Sequence, residues 1–139
     1  MKIKHLSITA QNPQIAAKRL VELSGGVAKP FPSKTMDGAW LCVWDETENE
    51  LVEFIPNAYR IEFGEHAAEY REQKQAQNFS ASHIMIETDK RVEWLRGIAE
   101  KHCLAHRFRS RFGGPLYEVW IEDHLLIEFI SAEIKLCCS

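Results

Sequence analysis

A chain of 139 residues, 45% of them hydrophobic, has the size and composition of one globular domain able to bury a real core. Its 17 basic and 20 acidic residues leave a formal net charge of −3, which gives no reason to expect nucleic acid or a membrane surface as partner. No apolar run approaches the roughly 20 residues of a membrane span. The N-terminus, Met1-Lys2-Ile3-Lys4-His5, enters a strand pattern without a signal-peptide apolar region, so cytoplasmic residence and reduced thiols are expected.

An alternating strand at about residues 2–10 opens the chain. Asn12-Pro13 marks a helix start, with Asn as cap and Pro at the first helical position. Ile15, Ala16, Leu20 and Leu23 form its apolar stripe, and Gly25-Gly26 stops it. A short extended piece near 28–31 precedes a strand at 39–44. A turn through Asp45-Glu46-Thr47-Glu48-Asn49 returns it as Leu51-Val52-Glu53-Phe54-Ile55, ended by Pro56. Residues 57–80 form a polar connection in which 66–77 reads as a short helix or ordered linker.

The same order then recurs. A strand at about 81–88 leads to Asp89 as helix cap, and Val92, Leu95, Ile98, Ala99 and His102 fall on one helical face. A strand near 105–109, a Gly113-Gly114-Pro115 turn and a hairpin of 116–121 with 125–130 complete the copy. Each copy is βαβββ: one module at about 2–56, a second at about 81–131, and a tail at 132–139. The fold class expected is α+β, in one domain whose paired modules form a cup-shaped mixed sheet with helices outside.

The chemistry lies in a second repetition. His5 opens the first strand and Glu53 interrupts an apolar string 48 residues later; His83 and Glu128 repeat the pairing 45 residues apart. Desolvating a carboxylate among apolar neighbours is costly unless something compensates it. Side chains alternate across a strand, so all four stand opposite apolar pairs suited to a helix-facing surface. Two imidazoles and two carboxylates make a first shell of formal charge −2 for a divalent cation; zinc, nickel, cobalt, manganese and iron all suit mixed N/O ligation. Ser7, Thr9, Met85 and Glu87 follow the ligands on the same faces. Arg107, Arg109 and Arg111 share a face, either guarding a sheet edge or receiving a substrate anion. Trp40, Cys42 and Trp44 line the cup or fill the core, and His124 reads as a solvated turn residue.

The strings His5-Leu6-Ser7-Ile8-Thr9, Leu51-Val52-Glu53-Phe54, His83-Ile84-Met85-Ile86 and Ile127-Glu128-Phe129-Ile130 resemble the four ligand segments of the vicinal oxygen chelate superfamily, the glyoxalase and bleomycin-resistance fold. The resemblance covers about residues 2–131 and is closest to the His, Glu, His, Glu pattern of glyoxalase I-like members. It implies one divalent metal, a homodimer, and a small oxygen-chelating substrate undergoing lyase or isomerase chemistry. Glu53 or Glu128 would serve as the catalytic base beside an enediolate-type intermediate. Two alternatives stay open: an iron-dependent extradiol-type dioxygenase, and a non-catalytic small-molecule or drug-binding protein.

Overall fold

A computed structural model describes residues 5–32, 36–63, 68–76, 82–110, 114–122 and 124–136. The chain falls into two compact units, residues 1–21 with 25–80, and residues 22–24 with 81–139. The class is α+β; the described residues form two open four-stranded sheets, a two-stranded hairpin and three helices.

The first unit begins with β1 (His5–Ala10) and α1 (Pro13–Ser24). Asn12 Oδ1 accepts the Ile15 N–H at 3.1 Å, and Pro13 occupies the first turn, where its missing N–H costs nothing. Ala16, Ala17 and Leu20 are buried, whereas Ile15 is exposed. Gly25, at φ +87°, closes the helix by donating to the Val21 carbonyl. Then come β2 (Val27–Pro30), β3 (Trp40–Asp45) and β4 (Glu50–Pro56), in sheet order β1-β4-β3-β2. β1 runs parallel to β4; the other pairs are antiparallel.

One face of this sheet carries Ile8, Cys42, Val52 and Phe54, all buried. Trp40 shares that face beneath the Lys18 ammonium of α1, 5.5 Å from the ring centroid. Trp40 and Cys42 therefore belong to the helix-covered core.

Gly26 is fixed by close approach. At φ +90°, a Cβ there would lie 2.5 Å from the Val43 carbonyl oxygen. Gly26→Ala is expected to cost about 2–4 kcal/mol by urea denaturation, from an unfavourable backbone well plus overpacking. Gly25→Ala, with nothing within 4 Å, carries only the backbone penalty and should cost roughly half as much.

β5 (Tyr59–Phe63) and β6 (Ala68–Glu72) pair as an antiparallel hairpin, so of the two readings the sequence offers for 66–77, a short helix or an ordered linker, the described residues take the second; residues 66, 67 and 77 lie outside the described set. Alternation explains the outcome. Arg60, Glu62, Glu69 and Arg71 share one face and pair at 2.6–3.1 Å, while Tyr59, Ile61 and Tyr70 take the other. Tyr59 and Tyr70 pack against a small core of Met36, Ala39 and Ile55.

The second unit contains β7 (His83–Glu87), α2 (Val92–Lys101), β8 (Ala105–Arg109), β9 (Leu116–Ile121), β10 (Leu125–Ile130) and α3 (Ala132–Leu136). Its sheet order, β7-β10-β9-β8, and its pattern of one parallel and two antiparallel pairs repeat those of the first unit. Ile84, Ile127, Phe129, Tyr117, Val119 and Ile121 form its buried face, and Val92, Leu95 and Ala99 are the buried residues of α2.

Asp89 does not cap α2. Arg91 holds the cap position, and the Val92 N–H donates instead to Glu133 Oε2 at 3.2 Å. That carboxylate comes from α3, a helix where the sequence alone suggests a tail, and it suits the positive end of α2. α2 ends through Cys103 at φ +52°. Glu22, grouped with this unit, accepts from His102 Nε2 at 2.8 Å and Lys101 Nζ at 3.0 Å. Burial raises the Glu22 carboxyl, but these two bonds outweigh it and hold the pKa at about 2.

Cys42 is buried and Cys103 exposed; Cys137 and Cys138 lie outside the described residues, as does Arg111. Among the described residues no helix is long and apolar enough to cross a membrane.

Candidate metal centre

The predicted ligands are placed by register, in the same way in both units. In the first, His5 is the Cα partner of Leu51 and Ser7 that of Glu53, across the parallel β1–β4 pair. In the second, His83 partners Leu126 and Met85 partners Glu128, across β7–β10. Each histidine thus stands one rung diagonally from its glutamate, on the sheet face opposite the buried apolar one. Within the second unit this brings His83 Nε2 to 3.8 Å from Glu128 Oε2; the glutamate side chain is 7% exposed and the histidine 52%. Within the first, Glu53 Oε2 accepts from Ser7 Oγ at 2.5 Å. Burial pushes the Tyr70 phenol up, and the Glu53 charge adds to the effect.

The structure therefore draws His83 and Glu128 together in the second unit, while in the first His5 and Glu53 share the equivalent register and the contact Glu53 makes is to Ser7. Among the described residues there is no group of three or more His, Cys, Asp or Glu side chains spaced to hold a metal ion.

One residue of the second unit escaped the sequence reading. Glu118 is wholly buried and lies directly across from Glu128 on β9. It is clamped by Arg107 Nε at 2.6 Å and Arg109 Nη1 at 2.7 Å. Burial alone would raise its pKa, but the bonds from Arg109 and Arg107 win and hold it below the usual carboxylate range. The arginines are thus neither a bare edge guard nor a vacant anion site. The row across this sheet reads Met85, Glu128, Glu118, Arg107; the matching row of the first unit reads Ser7, Glu53, Leu41, Lys29. Leu41 stands where Glu118 would, and Lys29 turns to Glu46 instead.

The signal for Glu118 was present: a carboxylate inside Leu116-Tyr117-Glu118-Val119-Trp120, the pattern that exposed Glu53 and Glu128. His124 also differs from expectation. Its side chain is 8% exposed, and Nδ1 lies 2.6 Å from the Glu122 carbonyl oxygen.

No protein-family model matches the chain, and no curated protein sequence does so at a significant level. Solved structures do. A lactoylglutathione lyase from Agrobacterium tumefaciens superposes with TM-score 0.61 at 9% identity, covering 95% of this chain and 94% of that one. A fosfomycin resistance protein, FosX from Mesorhizobium loti, gives 0.57 at 12% identity, covering 92% and 89%. A variant of FosX from Listeria monocytogenes, solved with Mn(II) and dihydroxypropylphosphonic acid, gives 0.58 at 10% identity, covering 92% and 87%. Likeness at such identities defines architecture alone. The chain has the vicinal oxygen chelate fold.

Proposed function

We propose that this protein is a glyoxalase-like, divalent-metal-dependent enzyme of the lyase or isomerase type, acting on a small oxygen-chelating substrate. The observation that carries the reading is the identical register of the two His–Glu pairs, His5 with Glu53 and His83 with Glu128. Two independent surface residues have no reason to recur at the same diagonal of the same strand pair. By residue type alone two imidazoles and two carboxylates suit a divalent ion, and in the second unit Glu128 is almost fully buried with Oε2 3.8 Å from His83 Nε2.

When bound, the ion would supply Lewis acidity toward vicinal substrate oxygens. The protein's own residues set up the rest. Ser7 orients Glu53 by hydrogen bonding the oxygen that faces it, which leaves the second carboxylate oxygen to act as ligand or base. Glu128 is the more buried of the two carboxylates. A cytoplasmic homodimer belongs to the same reading, and sedimentation of the purified protein tests it.

Metal content of untagged protein, equilibrated separately with zinc, nickel, cobalt and manganese, is the direct test. The wild type is expected to retain about one ion per site, and Glu128→Ala and Glu53→Ala to weaken retention by roughly a hundredfold or more. Equal retention in all three proteins removes the metal reading. Turnover of an α-keto aldehyde or a thiol conjugate by the loaded enzyme then identifies the reaction.

A further inference from the structure

The β5–β6 hairpin of the first unit is a sheet of two strands, and among the described residues no further strand lies against it. Tyr59 and Tyr70 seat it on Met36, Ala39 and Ile55. Its register runs unbroken from Tyr59 opposite Glu72 to Phe63 opposite Ala68. β5 carries no proline, lysine or bulge, devices that blunt an exposed edge.

One bond tells which backbone groups face outward. The Gln73 N–H donates to the Ala58 carbonyl at 2.8 Å, on the rung just before that of Tyr59 and Glu72. Bonded and non-bonded rungs alternate in an antiparallel pair. Arg60 and Glu62 therefore bond to β6, and the N–H and C=O groups of Ile61 and Phe63 point to the outer edge. Tyr59 shares their parity, its carbonyl touched by Gln73 Nε2 at 3.4 Å. The edge is open: Ile61 is 63% exposed, and Phe63 is exposed over its whole surface.

An open edge with apolar side chains recruits another strand, and the sequence of β5 specifies which. Placed antiparallel to a copy of itself about a two-fold axis at Ile61, the strand is complementary throughout. Ile61 meets its own mate on a hydrogen-bonded rung, and Tyr59 meets Phe63 of the second copy. Arg60 falls opposite Glu62 of the second copy, on the rungs where side chains approach most closely. Within its own hairpin the reverse holds. Arg60 stands directly opposite Arg71 and Glu62 opposite Glu69, relieved only by diagonal and same-strand pairs at 2.6–3.1 Å. The same operation about the middle of β8, an edge strand of the second unit, would set Arg107 against Arg107.

We propose that the outer edge of β5 is an interface between two copies of this chain, which pair β5 to β5 antiparallel about Ile61. This rests on the proposed function only for the expectation of a homodimer, and assigns the surface that joins it. None of the candidate metal ligands takes part.

Sedimentation of the untagged full-length protein over a range of concentrations is the test. The wild type is expected to form a dimer. Ile61→Lys, at a side chain too exposed to carry the fold, brings two ammonium groups together on the axis and should weaken dimerisation about tenfold or more. Ile15→Lys adds the same charge at an exposed position of α1 and should leave dimerisation unchanged. Arg60→Glu and Glu62→Arg should each weaken self-association severalfold, because like charges then meet. An equimolar mixture of those two variants should recover wild-type association, each supplying the charges the other lacks. A monomer at every concentration, a dimer indifferent to Ile61→Lys or weakened equally by Ile15→Lys, or no recovery on mixing overturns the proposal. A dimer that survives every substitution leaves the homodimer standing on another surface, and the metal content of the same proteins decides the metal reading separately.

Discussion

Replacing Arg107 and Arg109 together by alanine should strand the Glu118 carboxylate and lower the stability of the second unit sharply. Glu118 has no exposed surface and two guanidinium partners at 2.6 and 2.7 Å. A buried carboxylate stripped of its partners costs up to about 3–5 kcal/mol. The guanidiniums are themselves about half-exposed, so their removal admits some water, and an unpaired Glu118 is expected to cost about 2–4 kcal/mol. Adding Glu118→Leu to the double variant should restore most of the loss, because an apolar side chain fits the buried position Leu41 fills in the first unit. Urea denaturation of the three proteins measures this.

The pH dependence has a definite sign. In the wild type the folded Glu118 carboxyl lies below its ordinary value of 4.5. Its contribution is complete above that value and is lost as pH falls through the lower, folded one. Glu22 acts in the same direction, its contribution fading between 4.5 and about 2. In the double arginine variant only burial is left to act on Glu118, so its folded carboxyl rises above 4.5 and protonation relieves the strain. The stability gap between the two proteins should therefore narrow as pH is lowered toward 4. A gap that is constant or widens on acidification would show that Glu118 is not the group responsible.

The second large effect separates folding from chemistry on a single strand. Phe129 and Glu128 are neighbours on β10 that face opposite ways. Phe129 is fully buried in the helix-covered core, and Phe129→Ala should cost about 3–5 kcal/mol through lost transfer energy and the cavity left behind. Where that variant is still folded, its metal retention should match the wild type. Glu128→Gln preserves shape and removes one of two facing carboxylates, since Glu118 lies directly opposite. It should leave the unfolding free energy from urea denaturation within about 1 kcal/mol of the wild type while weakening metal retention about as much as Glu128→Ala does. If Glu128→Gln unfolds the protein, or retains the ion, Glu128 is a structural residue.

The elements were largely legible because their signals are local. The Asn12-Pro13 cap, the two hairpins and the repeated apolar strings each declare themselves within a few residues, and strand parity then fixes which face His5, Glu53, His83 and Glu128 occupy. What went unread depends on partners far away in sequence. Residues 66–77 read as helical or linker because Glu, Gln and Arg are good helix formers. The diagonal pairing of Arg71 with Glu62 and the seating of Tyr70 on Ile55 override that propensity. Asp89 is a good cap by type, yet Glu133, 41 positions beyond Val92, takes the donor. Glu118 was missed for another reason: it has no counterpart in the first copy, so an argument built on repetition passes over it.

The diagonal placement of each histidine and glutamate has a consequence for how the gene can change. A pleated strand behaves like a reading frame of two, and adding one residue upstream of Glu128 within β10 would turn Ile127 and Phe129 outward and bury the carboxylate beneath α2. Loops elsewhere tolerate length variation, but β1, β4, β7 and β10 admit change by substitution alone. Single-codon insertions in those four segments should be purged, while the turn at 45–49 is free to lengthen.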